Sequence, residues 1–415
     1  MKIVVALSFL WAACITCQAQ EPTENPTEPV GLTASNRVVL PVNQVLSPAG
    51  IQVELPGVRP QALSLSPDGR LLVTSGKSHE LIGVDPVTGA ILQRVPLPSE
   101  QTGEAKPDAV SSHILAPDKE GQLSFTGLIF SPDGSRIFLA NVNGSIKVFG
   151  VGPSHQITAL YSIPLPETGL AGRKKDIPAG LAISRDGRRL YVALNLSNRL
   201  LELDANTGKQ LRVFDVGTAP YDVVLAGTKA YVSNWGGRRP DASSVTGPAG
   251  RGTLVRVDPV RYIANEGSVS VIDLVNGKVT TEILVGLHSS ALALTPNGRH
   301  LLVANAGSDS VSVIDARSDR VVDTISLRWH ANDLFGASPN ALATDPSGKT
   351  LYVCNGTQNA VAVVSFRLGK SKLVGLIPTG WFPGAIAYDA ARRSLYVANI
   401  KGIASGKHYD PGERV

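Results

Sequence analysis

The chemically capable side chains of this sequence are its histidines, arginines and tryptophans, and they are unevenly placed. His288 opens the run HSSALALT, and His330 lies within RWHANDLF, three residues before Asp333. With His113 or Glu120 they could supply imidazole and carboxylate ligands to a metal. No H-x-x-x-H or C-x-x-C spacing pre-arranges them, so a solvated or hydrogen-bonded loop role is their default. The stretch GGRRPDASSVTGPAGRGTLVRVDPVRYIA carries Arg238, Arg239, Arg251, Arg256 and Arg261, and Arg173, Lys174 and Lys175 form a second basic spot. Guanidinium groups clamp phosphate or carboxylate through paired bonds. Residues 99–124 are acidic on balance, through Glu100, Glu104, Asp108, Asp118 and Glu120. A surface of mixed sign suits a specific partner better than nucleic acid, which wants a continuous basic track with stacking aromatics. No C-x-x-C-H haem site, G-x-S-x-G elbow, P-loop or dinucleotide fingerprint occurs, and no cofactor is indicated.

What must position these residues is a repeat. HSSALALTPNGRHLLVANAGSDSVSVIDARSDRVVDTISL reads as four short strands, each β-branched or alternating, separated by breaks rich in Gly, Asn, Asp and Ser. The same order of runs and turns begins again at Pro60, Phe125, Pro178, Pro220, Pro339 and Pro383, with the Pro220 unit interrupted and resuming at Asn265. Such periodicity predicts an all-β fold, a seven-bladed propeller of four-stranded antiparallel blades. The last unit runs out of strands after PGAIAYDAARRSLYVANIKG. RVVLPVNQVL and IQVELPG, ahead of the first unit, are expected to complete it and so close the ring.

Labelling each blade's strands a to d from the axis outward sorts the loops onto two rims. The a-to-b and c-to-d turns share one rim; the b-to-c turns and d-to-a links share the other. The a-to-b turns are minimal, as in PDG, RDG and PNG. The long departures, residues 99–124, 164–177, 236–264 and 328–338, all fall on the second rim, where a rigid scaffold can display binding residues. Trp235, Trp329 and Trp381 map there too, either to plug the loops against each other or to contact a ligand. The candidate ligand-binding set on this rim is Arg59, Tyr221, Trp235, Arg238, Arg239, His288, Trp329, His330, Asn340 and Trp381. No catalytic or metal-binding residue is assigned. Asn141, Asn234, Asn305, Asn355 and Asn399 share one repeat position at the end of strand b, and Asp204, Asp273 and Asp315 share another at the end of strand c. Both sets are expected to serve the following turns, the asparagines with a positive φ.

The 415 residues, net charge +5 and three cysteines set the outer bounds. Radial repeats grow by adding blades, so one domain over residues 37–405 accommodates the length. Residues 1–19 read as a secretory signal, residues 20–36 as a Pro- and Glu-rich disordered spacer, and residues 406–415 as a tail or truncated linker. No apolar run after the signal reaches membrane-spanning length, and a periplasmic or secreted location is expected. Cleavage after Ala19 leaves Cys354 as the one cysteine, read as a buried small apolar residue.

The recurrent L-Y-V-A-N, V-x-V-I-D and S-P-D-G segments resemble the YVTN-repeat propellers of the YncE type, over Arg37 to about Gly406. The chain is most similar to the propeller half of bacterial proteins in which such a domain precedes an alkaline-phosphatase-like phosphoesterase. The resemblance implies a binding or scaffold module whose elaborated rim meets a small anionic ligand, a peptide or a companion phosphoesterase domain. It transfers no phosphoesterase ligand to any residue of this chain. Propellers of lactonase type hydrolyse sugar lactones at the axial mouth, so His288, Arg59 and Asn340 form an enzymatic alternative. Nucleic-acid binding, reported for some YncE-type propellers, is a third reading, through Trp235 and the arginine-rich insertion.

Overall fold

The computed structural model describes Glu28 and residues 30–402, apart from 35, 43, 101–116, 171 and 251. The expected signal, most of the spacer, His113 and the tail therefore lie outside the described residues. Those described contain strands and no helix, arranged as a seven-bladed β-propeller. No helix is long and apolar enough to cross a membrane.

Blade one is Arg59–Leu65, Leu72–Lys77, Glu80–Val84 and Ile91–Pro96; blade two is Leu123–Phe130, Arg136–Asn141, Ser145–Val151 and Ile157–Pro164. Blade three is Pro178–Ile183, Arg189–Leu194, Arg199–Asp204 and Gln210–Asp215. Blade four is Pro220–Ala226, Lys229–Asn234, Gly267–Asp273 and Lys278–Val285; blade five is Ser289–Leu294, His300–Asn305, Ser310–Asp315 and Arg320–Ser326. Blade six is Pro339–Thr344, Thr350–Asn355, Ala360–Ser365 and Lys372–Pro378, and blade seven contributes Pro383–Asp389 and Ser394–Asn399. Every pairing is antiparallel between chain neighbours, with the insertion of blade four looping out between its strands b and c.

The core is distributed over the seams. One cluster joins Leu81 and Val95 of blade one to Ile137 and Phe149 of blade two, and others join Val148 to Val192, Tyr191 to Val232, Val269 to Val303, Val313 to Val353, and Cys354 to Val397. Alternation in each strand sends apolar side chains to both faces because each blade is covered on both sides. Cys354 is fully buried and free, and burial drives its thiol well above the usual range, as a small core residue should behave.

A second set of bonds runs round the axis, where a side chain near the top of one blade reaches a carbonyl opening strand a of the next. The Ser124 hydroxyl donates to Pro178 O, Asn195 Nδ2 to Pro220 O at 3.0 Å, and Ser233 Oγ to Ser290 O at 2.5 Å. Ser290 Oγ then donates to Pro339 O at 3.1 Å, and Asn340 Nδ2 to Pro383 O at 3.1 Å. Proline opens strand a in most blades because it leaves this innermost position without a donor to satisfy.

Ring closure has its own local form. Strand a of blade seven packs between those of blades six and one. Arg392 Nη1 donates to Gly69 O at 2.7 Å, and the Tyr396 hydroxyl donates to Pro86 O at 3.0 Å. The N-terminal strands Gly31–Ala34, Arg37–Val39 and Val45–Leu46 pair with one another, and Ser394–Asn399 pairs with Pro383–Asp389 alone. The chain start instead bridges the flanking blades: Ala49 N–H donates to Pro378 O at 2.9 Å, and Pro56 O accepts from Arg94 at 3.2 Å. Pro41, Pro48 and Pro56 cut this segment into pieces too short for a blade strand and remove ladder donors.

Candidate binding face around the axial mouth

Strand direction puts Trp235 at the end of a strand b, and Trp329 and Trp381 after strands d, so all three stand on the elaborated rim. Their surroundings differ. Trp235 is the centre of an aromatic group: Tyr221 stacks on it at 4.5 Å between centroids, Phe125 meets it edge-on at 5.0 Å, and the His288 ring lies 4.7 Å away. Phe125 also reaches Tyr221 at 5.7 Å. They meet across blade three because Ala179 and Gly180 present almost no side chain there. Phe125 and His288 hold φ of 44° and 54° at the corner where strand a begins, a conformation non-glycine residues adopt only under constraint. Burial lowers the His288 pKa, which keeps the ring neutral, and raises that of the Tyr221 phenol.

Of the candidate residues, then, Tyr221, Trp235 and His288 come together. Arg59 and Asn340 open strand a in blades one and six. Arg59 is exposed with no side-chain partner among the described residues, while Asn340 spends its amide on carbonyls and leaves Oδ1 unpartnered. Of the insertion arginines, Arg238, Arg239 and Arg256 are occupied internally, and Arg251 lies outside the described residues. Arg238 grips Glu266 through Nε at 3.0 Å and Nη2 at 2.5 Å. Arg239 donates to Val216 O at 2.7 Å, to Asn198 O and to Asp215 at 3.1 Å, and Arg256 holds Asp241 at 2.7 Å. Those guanidinium groups tie the insertion down. Trp381 packs on Val38, Leu40 and Leu46 and carries Lys401 Nζ over its ring at 4.8 Å, so it seats the N-terminal sheet. Trp329 and His330 are exposed on the 328–338 link, beside Leu334 and Phe335. Arg328 shapes that link by donating to Ala331 O and Asp333 O and covering the Phe335 ring at 4.3 Å.

Among the described residues no group of three His, Cys, Asp or Glu could hold a metal ion. His79 spends Nδ1 on Gly121 O at 3.0 Å. Two hollows in the surface, of about 630 and 440 Å³, lie away from the mouth, one between the outer strands of blades four and five and one on the plain rim. The cluster presents packed aromatic rings at the mouth, the kind of side chain that anchors a partner's surface.

Asn234 and Asn305, at the end of strand b, take a form different from the expected turn contact with a positive φ, whereas Asn355 Nδ2 does reach the following turn, at Gln358 Oε1, 2.9 Å away. Asn234 Nδ2 donates to Ser268 and Ser270, and Asn305 Nδ2 to Ser310 and Ser312, at 2.9 to 3.1 Å. They are fully buried, and hydroxyls on strand c are the nearest acceptors there. The aspartates ending strand c do cap turns: Asp315 Oδ1 accepts from Arg317 N and Ser318 N at 3.1 and 2.8 Å, and Asp204 and Asp273 repeat the pattern.

Two residues escaped sequence reasoning, and both break the repeat. Phe125 stands where other blades place Pro or Ser. Asp222 stands where they place Ala62, Gly127, Gly180, Ala291, Ala341 and Ala385. Asp222 Oδ2 accepts from Leu292 N of blade five and Oδ1 from Val223 N, both at 2.9 Å. Gly180 is required beside it, since a Cβ there would stand 2.6 Å from Oδ1. Strand a is innermost, so the exposure Asp222 keeps opens on the axial channel. Burial pushes its pKa up to about 6, against the pull of the two amides. A carboxyl whose folded pKa lies above its unfolded 3.8 favours folding while protonated. That advantage is lost as pH rises from about 4 through 6, by about 3 kcal/mol. Asp222→Asn should therefore show a flatter urea midpoint between pH 4 and 7 than wild type; equal slopes would remove this assignment.

The family model "Lactonase, 7-bladed beta-propeller" matches residues 256–377, under a third of the chain. The hydrazine synthase of Kuenenia stuttgartiensis superposes with a TM-score of 0.60 at 20% identity, over 85% of this chain and 95% of that one. U3-55K also gives 0.60, at 14% identity over 83% and 89%. A search of the curated proteins gives no match. The structural likenesses, at these identities, carry the fold and not an activity.

Proposed function

We propose that this chain is a secreted recognition or scaffold propeller whose elaborated rim binds a peptide or a partner domain. The single observation behind this reading is the asymmetry of the two rims. The plain rim carries minimal turns, whereas the other carries the excursions, the three tryptophans and an aromatic cluster. Exposed Trp329, Leu334 and Phe335 offer anchoring side chains, and Arg59 is a cation free to meet an acidic partner. The internal pairing of Arg238 and Arg239 argues against both a free small anion and nucleic acid as the main ligand, since neither would find these charges unpaired. A companion phosphoesterase domain belongs among the candidate partners through the family resemblance.

A second reading is lactone hydrolysis, favoured by the partial family match, whose span includes His288 and Asn340. A neutral His288 at the mouth is in the right protonation state for a general base. One set of measurements separates the two. Tryptophan emission of the mature chain is followed against an acidic peptide library and a panel of sugar lactones, with lactone turnover recorded in parallel. We expect saturable peptide binding that Trp329→Ala weakens at least about tenfold, a loss of about 1.4 kcal/mol. Lactone turnover abolished by His288→Ala would establish the second reading instead.

A further inference from the structure

The hollow of about 440 Å³ on the plain rim lies between the a-to-b turns of blades five and six. Pro296 and Pro346 flank it, Phe366 and Leu368 line it, and Asn297 and His300 bring the polar groups. His300 opens strand b of blade five and is only 8% exposed, yet its ring has no hydrogen-bond partner among the described residues. The imidazole lies edge-on to Phe366 at 6.2 Å, and neither ring nitrogen is sealed from solvent. An imidazole without a protein partner, lining the hollow with nitrogens that solvent still reaches, can bond a ligand group there in place of water. Burial, with Arg299 nearby and against the pull of Asp315, lowers its pKa and leaves it neutral, with one nitrogen accepting and the other donating.

Asn297 adds a complementary group. Its Oδ1 accepts from Thr295 Oγ1 at 2.8 Å and from Arg299 N at 3.0 Å, which fixes the amide and leaves Nδ2 without an acceptor. Flat proline and phenyl walls with one free N–H donor and one free imidazole are complementary to an aromatic ring bearing a hydroxyl. Such a hydroxyl accepts from Asn297 and donates to His300, while its ring packs on Phe366 and the prolines. Phe366 is itself an exception. It follows strand c where blades three and five carry Ala205 and Ala316 and blade four Leu274, and it packs in part on the core shared by blades five and six, so the repeat accepts a smaller residue at this position.

We propose that this hollow is a binding site for a phenolic ring, supplied either by a free phenol or by a tyrosyl side chain. The site is on the rim opposite the aromatic mouth and is independent of the binding role assigned there. The test uses the whole mature chain, with the imidazole proton resonances followed by NMR during titration with p-cresol, with toluene, and with the peptide Gly-Tyr-Gly. The expected result is a saturable shift of the His300 resonance with p-cresol, at least about tenfold weaker with toluene, which lacks the hydroxyl. Phe366→Ala, which installs the residue found in blades three and five, should weaken p-cresol at least about tenfold without loss of folding. Gly-Tyr-Gly binding as tightly as p-cresol identifies a tyrosyl ligand, and weaker peptide binding identifies a free phenol. No shift at His300, or toluene binding as well as p-cresol in wild type and Phe366→Ala alike, overturns the proposal.

Discussion

Lys147→Ala should cost about 4 kcal/mol of unfolding free energy, measured by urea denaturation at pH 7. Lys147 is fully buried in strand c of blade two, and its ammonium is completely satisfied. Its three N–H groups reach Pro98 O, Glu100 Oε1 and Asp118 Oδ2 at 2.8 Å each, with Ser162 Oγ sharing one of them at 3.1 Å. Glu100 and Asp118 stand at the two ends of the undescribed stretch 101–116, so one cation anchors both stems of that excursion. Removing it leaves two partly buried carboxylates facing each other without a counter-charge, which is the expensive half of breaking a buried pair. Burial would raise the Asp118 pKa, but Lys147 outweighs it and holds the carboxyl below its usual 3.8. A depressed folded pKa contributes stability that is present above the unfolded value and lost as pH falls through the folded one. The gap between wild type and variant should therefore narrow below about pH 4. A triple change, Lys147→Met with Glu100→Gln and Asp118→Asn, removes all three charges and should recover at least half of the loss; if it does not, the charge account is wrong.

Trp235→Ala is expected to cost about 3 kcal/mol, at the lower end for a tryptophan because the ring keeps some exposure. Its Nε1 has no partner, so the deletion orphans nothing, and the loss comes from packing against Tyr221, Phe125 and His288. The same change admits water to His288. Because burial is what depresses that imidazole, its titration should move up toward the ordinary value of 6.5, which NMR can follow directly. An unchanged His288 titration in a folded variant would show that the cluster does not govern the mouth.

The blades were legible because each strand repeats the same small set of side chains. Leu-Tyr-Val-Cys-Asn in blade six and Leu-Leu-Val-Ala-Asn in blade five face the same surroundings, so pattern alone locates them. The rim assignment followed from antiparallel order and needed no distances. What pattern could not show was how charges pair across the insertions. Arg238 meets Glu266 and Lys147 meets Asp118 across 28 and 29 residues, through loops without periodicity. The closing segment was similarly opaque, because its prolines decide between a ladder and a bridge only once the flanking blades are in place. Asp222 and Phe125 were visible as departures from the repeat, but aligning all blades at strand a needs the register, which bulges near the start of that strand obscure.

Binding at the elaborated rim distinguishes a recognition module from a plain ring. Amide hydrogen exchange of the protein, with and without the tightest peptide from the library, addresses that directly. Protection concentrated in residues 219–222, 235–239, 288–290 and 328–340 is the expected result. Protection confined to the a-to-b turns at residues 66–70, 131–135, 184–188 and 345–349, with the aromatic mouth unchanged, would contradict it.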